Sequence, residues 1–196
     1  SDNVDQVATA QGVQKVFLDT LEQPATEVSP TFIGAPTAWQ QLGGQESAGE
    51  NVTVGVLDTG IWPEHPSFSD PDPSGKAYPP PAITPGSRGF GSAGPRPTCD
   101  FGNTVANAND THFECNNKLI GAYEFLDTYK AFNPLLDTEF DSARDDDGHG
   151  THTSSTAAGN AGVAASIYGI PRGIVSGVSP RSHVIMYRVC ADQGCY

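Results

Sequence analysis

Long apolar runs are missing from this sequence. No stretch approaches the roughly 18 consecutive apolar residues that a membrane-spanning helix needs. Basic residues are scarce as well: Lys and Arg number 10 against 23 Asp and Glu, for a formal charge of −13. That balance argues against nucleic acid as a partner, because phosphate binding needs clustered cations. It disfavours anionic membrane surfaces on the same ground and describes a soluble acidic protein. Ser1 opens a polar segment with neither a basic start nor an apolar core, so no signal peptide is expected at that end. That leaves the compartment open. No internal repeat is evident.

Cysteine is sparse and unpaired in spacing. Cys99, Cys115, Cys190 and Cys195 show no C-x-x-C, and no His pair stands near them, which argues against a zinc ribbon. An even number is compatible with two disulfides, and three connectivities are formally open. Order along the chain favours Cys99–Cys115 and Cys190–Cys195, each closing a short local loop. Four buried thiols in a reducing compartment are the alternative.

Gly and Pro, by contrast, are abundant, with 22 and 16 residues, and imply heavy use of loops. Gly12 to Leu18 reads as a short strand, and the polar stretch from Thr20 to Pro30 has the character of a linker. A domain boundary is expected near residue 30. Asn51 to Leu57 is a nearly continuous β-branched run, as expected for a strand buried on both faces of a parallel sheet. It stops at Asp58-Thr59-Gly60, where Pro63 and Pro66 prevent continuation. The Pro- and Gly-rich stretch from Ser69 to Pro97 is expected to be a long surface loop. Lys118 to Phe125 and Ser182 to Cys190 are further strand candidates. Between them, His149 to Ala158 is a helix candidate, rich in Thr, Ser and Ala, that must pack closely on something and ends at Gly159-Asn160. Strand, helix and strand in this order predict a right-handed α/β layer arrangement.

Two places carry chemistry. Open α/β sheets put their active sites at the carboxyl ends of the strands, and Asp58 stands there. An Asp in such a turn can also simply bond local backbone N–H groups. Gly148-His149-Gly150-Thr151-His152 is the sharper signal. Two glycines leave the His149 ring uncrowded, and a helix starting there would hold it rigidly. A general base needs a fixed ring with a pKa near neutrality, and a carboxylate on one nitrogen fixes the tautomer. Asp58 can supply that carboxylate across the sheet edge. A metal site from His149, His152 and Asp145 to Asp147 is the competing reading, but the pattern is not H-E-x-x-H and Gly150 interrupts the helix face. Purely structural histidines are a further alternative.

These segments match a known family. Val54–Ile61 resembles the aspartate motif of subtilisin-like serine proteases, and Asp147–Thr153 resembles their histidine motif, in the family's order. Ile61–Phe68, Cys115–Ala122, Ser155–Asn160 and Tyr187–Cys190 resemble the plant cucumisin-type branch and its bacterial relatives. The likeness covers roughly residues 12 to 196.

The resemblance implies a subtilisin-like α/β fold, a parallel sheet with helices on both faces, of which this chain is the N-terminal part. Residues 1–30 are expected to be the tail of an inhibitory propeptide plus linker, and residues 31–196 the front of the catalytic domain. Asp58 would orient the imidazole and His149 would be the general base. His152 matches the motif's second, structural His, and Asn160 belongs to the helix-end motif rather than to an oxyanion hole. The family's Gly-Thr-Ser-Met type nucleophile motif has no match here, so the chain by itself should not hydrolyse peptides.

The implied partners are peptide or protein substrates, the propeptide as inhibitor and the remaining part of the catalytic domain, with no nucleic acid and no membrane. The implied compartment is extracellular. The alternative is a catalytically inactive subtilase-fold fragment acting as a binding module. No cofactor is implied. Structural calcium is conceivable, but Asp141, Asp145, Asp146 and Asp147 read better as a solvated acidic loop. Of the sequons at Asn51 and Asn109, only the second is expected to tolerate a glycan, because Asn51 abuts the strand.

Overall fold

The computed structural model describes residues 28–81 and 99–196, together with Gln11 and Val13. The strand expected at Gly12 to Leu18 and most of the stretch 1–30 lie outside the described residues, as does the loop from 82 to 98. The helices are α1 (Ser29–Phe32), α2 (Ala35–Gln41), α3 (Asp127–Phe132) and α4 (His149–Ala158). The strands are β1 (Thr53–Asp58), β2 (Leu119–Glu124), β3 (Val163–Ile167), β4 (Ile170–Val175), β5 (His183–Arg188), β6 (Cys190–Ala191) and β7 (Gly194–Cys195).

Val54 and Val56 are stiff at χ1 and favour extended backbone, and they sit in the middle of β1. The main sheet has the order β1-β5-β2, all parallel, so β5 enters between the two strands that precede it in sequence. One face carries Val54 and Val56 of β1, Ala122 of β2, and Val184 and Met186 of β5, and it closes with Ile61, Phe68 and Ala158 into the principal core. Fully burying such side chains contributes roughly 1.5–3 kcal/mol each.

The expectation of a first strand buried on both faces does not hold. Leu57 is 68% exposed, because β1 is an edge strand and no described element covers the face that Leu57 shares with Tyr187 and Tyr123. Those two tyrosine rings stack at 5.9 Å on that face.

α4 begins and ends where the composition places it. Its buried positions are Gly150, Ser154 and Ala158, a stripe of small residues at four-residue spacing. The helix therefore approaches the sheet edge very closely. A Cβ on Gly150 would run into the backbone carbonyl of Gly60.

The antiparallel β3–β4 hairpin follows α4 and was not anticipated from the sequence. Val163 is buried, but Ile167, Ile170 and Ile174 are exposed, so no regular buried stripe marks it. The disulfides are Cys99–Cys115 and Cys190–Cys195, the latter joining β6 to β7. Asn51 is exposed, as is Asn109, which corrects the reading of the first sequon: the turn before β1 leaves its side chain in solvent. Among the described residues, no helix is long and apolar enough to cross a membrane.

Candidate active site

Asp58 ends β1, and His149 begins α4. Three sets of contacts bring them together. The segment after Asp58 lies parallel to the segment before His149, with Ile61 N donating to Ala143 O at 3.0 Å and a bridge pairing Ile61 with Arg144. Arg144 is fully buried and holds this bridge from behind. Its guanidinium meets Glu64 through two contacts of 2.8 and 2.9 Å, and its Nε donates to Asp110 at 2.9 Å. Bidentate pairs of this kind are geometrically specific as well as strong.

Asp145 is the second fastener. Its Oδ1 accepts the Thr59 hydroxyl at 2.9 Å and the Gly148 N–H at 2.8 Å, while Oδ2 accepts the Thr151 N–H at 2.8 Å and the Thr151 hydroxyl at 2.5 Å. Thr59 Oγ1 in turn accepts the Gly150 N–H at 2.8 Å, and Thr151 Oγ1 accepts the Trp62 N–H at 2.9 Å. One buried carboxylate thus ties the end of the Asp58 strand to the first turn of α4. It also satisfies N–H groups that have no partner within a helix's first turn.

The third set is the pair itself. His149 Nδ1 lies 2.8 Å from Asp58 Oδ1. Thr59 N donates to the same oxygen at 2.7 Å, and Thr153 Oγ1 donates to Oδ2 at 3.0 Å. Burial alone would raise the Asp58 carboxyl, but the hydrogen bonds from His149, Thr59 and Thr153 outweigh it and hold the group below the usual range. The hydrogen bond His149 donates to Asp58, reinforced by the Asp58 charge and by those of Asp147 and Asp145, holds His149 above the usual histidine range. The His149 side chain is 65% exposed while Asp58 is 12% exposed, so the ring's Nε2 edge is open. A fixed imidazole with a carboxylate on Nδ1 and a free Nε2 can accept a proton from an incoming hydroxyl and return it to a leaving group.

His152 lies one turn further along α4. Asn160 is buried and fully engaged: it accepts the Tyr78 hydroxyl and donates to the Pro66 and Ser69 carbonyls, as a helix-end residue would.

The reading of Asp141, Asp145, Asp146 and Asp147 as a solvated acidic loop is corrected. Asp145 is buried, Asp146 pairs with the fully buried Arg188 at 2.9 Å, and Asp141 pairs with Lys130 at 2.8 Å. Asp147 is exposed and accepts the His149 N–H at 3.0 Å. Lys130 and Arg188 hold Asp141 and Asp146, while hydroxyl and backbone N–H donors hold Asp145. Among the described residues, no group of three or more His, Cys, Asp or Glu is placed to hold a metal ion.

Sequence reasoning missed Thr59, Thr153 and the hub role of Asp145. The signal present for all three was adjacency to Asp58 or His149, with side chains able to hydrogen-bond.

Residues 49–196 match the family described as the subtilase family. The chain is 38% identical to the subtilisin-like protease SBT1.7 of Arabidopsis thaliana, an alignment covering 100% of the chain and 23% of that protein. It is 39% identical to the subtilisin-like protease SBT2.1 of the same plant, covering 94% of the chain and 20% of that protein. The chain therefore spans about a fifth to a quarter of the length of these curated relatives.

Proposed function

The chain belongs to the subtilase family, and from that membership we propose that Asp58 and His149 are two members of an Asp-His-Ser triad in a longer peptide hydrolase. The observation that carries this reading is the 2.8 Å contact from Asp58 Oδ1 to His149 Nδ1, with Nε2 open. A serine elsewhere in the full-length protein would meet Nε2. His149 takes its proton as the hydroxyl attacks the peptide carbonyl, and the imidazolium that forms is stabilised by Asp58, which stays ionised. The same Nε2 proton then passes to the leaving amine, and water repeats the cycle on the acyl-enzyme.

The substrates are peptides or proteins, and this chain alone, without the serine, is inactive. The two disulfides favour an oxidising, extracellular compartment. The first 30 residues are the tail of an inhibitory propeptide.

The test is fluorophosphonate labelling of the full-length protein, followed by mass mapping. Modification of one serine, abolished by His149→Ala, is the expected result. No labelled serine in folded, processed protein would overturn the triad and leave a non-catalytic subtilase-fold module.

A further inference from the structure

The described Lys and Arg side chains have partners with one exception. Lys76, Lys130, Arg144, Arg181 and Arg188 are ion-paired, and Lys118 donates to two carbonyls. Arg172, on β4, makes no hydrogen bond or ion pair among the described residues, and its Nε is buried without an acceptor. In a chain with a formal charge of −13, an unpaired guanidinium is conspicuous. An unpaired N–H shielded from water is costly unless something fills the place of the acceptor.

Arg172 lines a cleft of about 430 Å³ between α4 and the β3–β4 hairpin. No Asp or Glu lines it, although acidic residues outnumber basic ones more than twofold in the chain. Two of its polar groups besides Arg172 can donate. Thr156 Oγ1, on α4, is a second buried atom without a partner. His65 uses Nδ1 to accept the Ser67 N–H at 3.2 Å, which leaves Nε2 as its donor nitrogen. Burial also pushes His65 below the ordinary histidine range and keeps it neutral at pH 7. His152 and Ser155 of α4 and the hydroxyls of Ser67, Ser166 and Ser176 complete the polar lining, and Val163, Ile167 and Val175 supply an apolar strip on the hairpin side.

From these contacts we infer that the cleft binds a carboxylate carried on an apolar stem: the acidic side chain or the C-terminal carboxylate of a peptide. The guanidinium supplies a charge-assisted donor, Thr156 a hydroxyl, and the two valines bury the stem. Thr156 lies seven residues along α4 from His149, about 10 Å at 1.5 Å rise per residue. The site is thus separate from the Asp58–His149 pair and does not depend on the role proposed for it.

Titration calorimetry on the full-length protein tests this with three small probes. N-acetyl-leucine presents only an α-carboxylate, the α-amide of N-acetylglutamate only a side-chain carboxylate, and N-acetyl-leucinamide neither. At least one acid is expected to bind, and the neutral amide is not. Arg172→Gln is expected to weaken that binding about ten- to a hundredfold, with a smaller loss in Thr156→Val. Which acid binds identifies the source of the carboxylate. Equal binding of the neutral amide, unchanged affinity in Arg172→Gln, or no binding of either acid at millimolar concentration would overturn the assignment.

Discussion

Thr153, one turn along α4 from His149, donates its hydroxyl to Asp58 Oδ2 at 3.0 Å, the oxygen that His149 does not use. The helix that carries the imidazole thus also anchors the far side of the carboxylate, and the two groups cannot rotate independently. Thr153→Val preserves the shape and removes the donor. The Asp58 carboxylate then becomes more basic and grips the imidazolium more tightly. If the proposed triad holds, kcat/KM of the full-length protein is expected to fall about tenfold, and the acid limb of its pH profile to move to higher pH. An unmoved acid limb would show that Thr153 merely fills space.

Asp58→Asn shifts that limb the other way. The hydrogen bond and charge of Asp58 hold His149 above its usual range, so the neutral amide lets it fall, and the base form persists to lower pH. Turnover nonetheless drops by roughly four orders of magnitude, because the amide favours the wrong tautomer. Steady-state rates from pH 5 to 9 check both effects. Opposite limb shifts in the two variants would be hard to obtain from any general loss of structure.

Asp145→Asn replaces one acceptor oxygen with an NH2 group. Whichever way the amide turns, that NH2 faces N–H and O–H donors, either those of Thr59 and Gly148 or those of Thr151. The link between the Asp58 turn and the first turn of α4 is then broken on one side. Expected outcomes are a loss of about 1–3 kcal/mol in stability by urea unfolding and a fall in kcat larger than the rise in KM. A change in KM alone would remove Asp145 from the positioning of His149.

Much of this arrangement was legible beforehand, for reasons that are physical. The β-branched run ending in Asp58 and the glycine-flanked His149 opening a small-residue helix are local patterns, and local patterns survive folding. The cysteine pairing was readable because both loops are short. The fully buried cations were not readable. Lys118, Arg144 and Arg188 are each fully buried, against the general rule for charged residues. Arg144 and Arg188 are buried because their partners arrive from distant segments: Glu64 and Asp110 for Arg144, and the Phe140, Ser142 and Arg144 carbonyls with Asp146 for Arg188. The β3–β4 hairpin escaped because Ile167, Ile170 and Ile174 are exposed and only Val163 is buried, so no regular period marks it.

Gly150→Ala tests the close approach of α4 to the Asp58 turn. The added methyl meets backbone of Gly60, which has φ 122° and no flexible side chain to yield. In most helices this exchange stabilises by up to about 1 kcal/mol. Here it is expected to destabilise, and to lengthen the Asp58–His149 contact enough to lower turnover about a hundredfold. A stabilised, fully active variant would show that the helix and the turn are not held in contact.

Lys118 offers a test of the core that is independent of catalysis. Burial, aided by the charge of Arg181 and opposed by that of Asp72, pushes its ammonium down to about 7 from the usual 10.5. Its Nζ donates to the Pro180 and Ser182 carbonyls at 2.8 Å each, and a neutral amine keeps two N–H groups, enough for both. Below about pH 7 the group is charged in both folded and unfolded chains, and the burial penalty is fully present. Between there and the unfolded value, the unfolded chain holds a proton that the folded chain has released, so stability rises with pH. Lys118→Met has no such proton. The variant leaves two carbonyls without their donor, and the stability difference is expected to move in favour of the native chain by a few kcal/mol from pH 7 to 10. Urea unfolding at intervals across that range measures the difference directly. Parallel pH dependences for the two proteins would mean that the buried ammonium keeps its charge to high pH, held by its two carbonyls and by the Tyr78 ring 4.8 Å away.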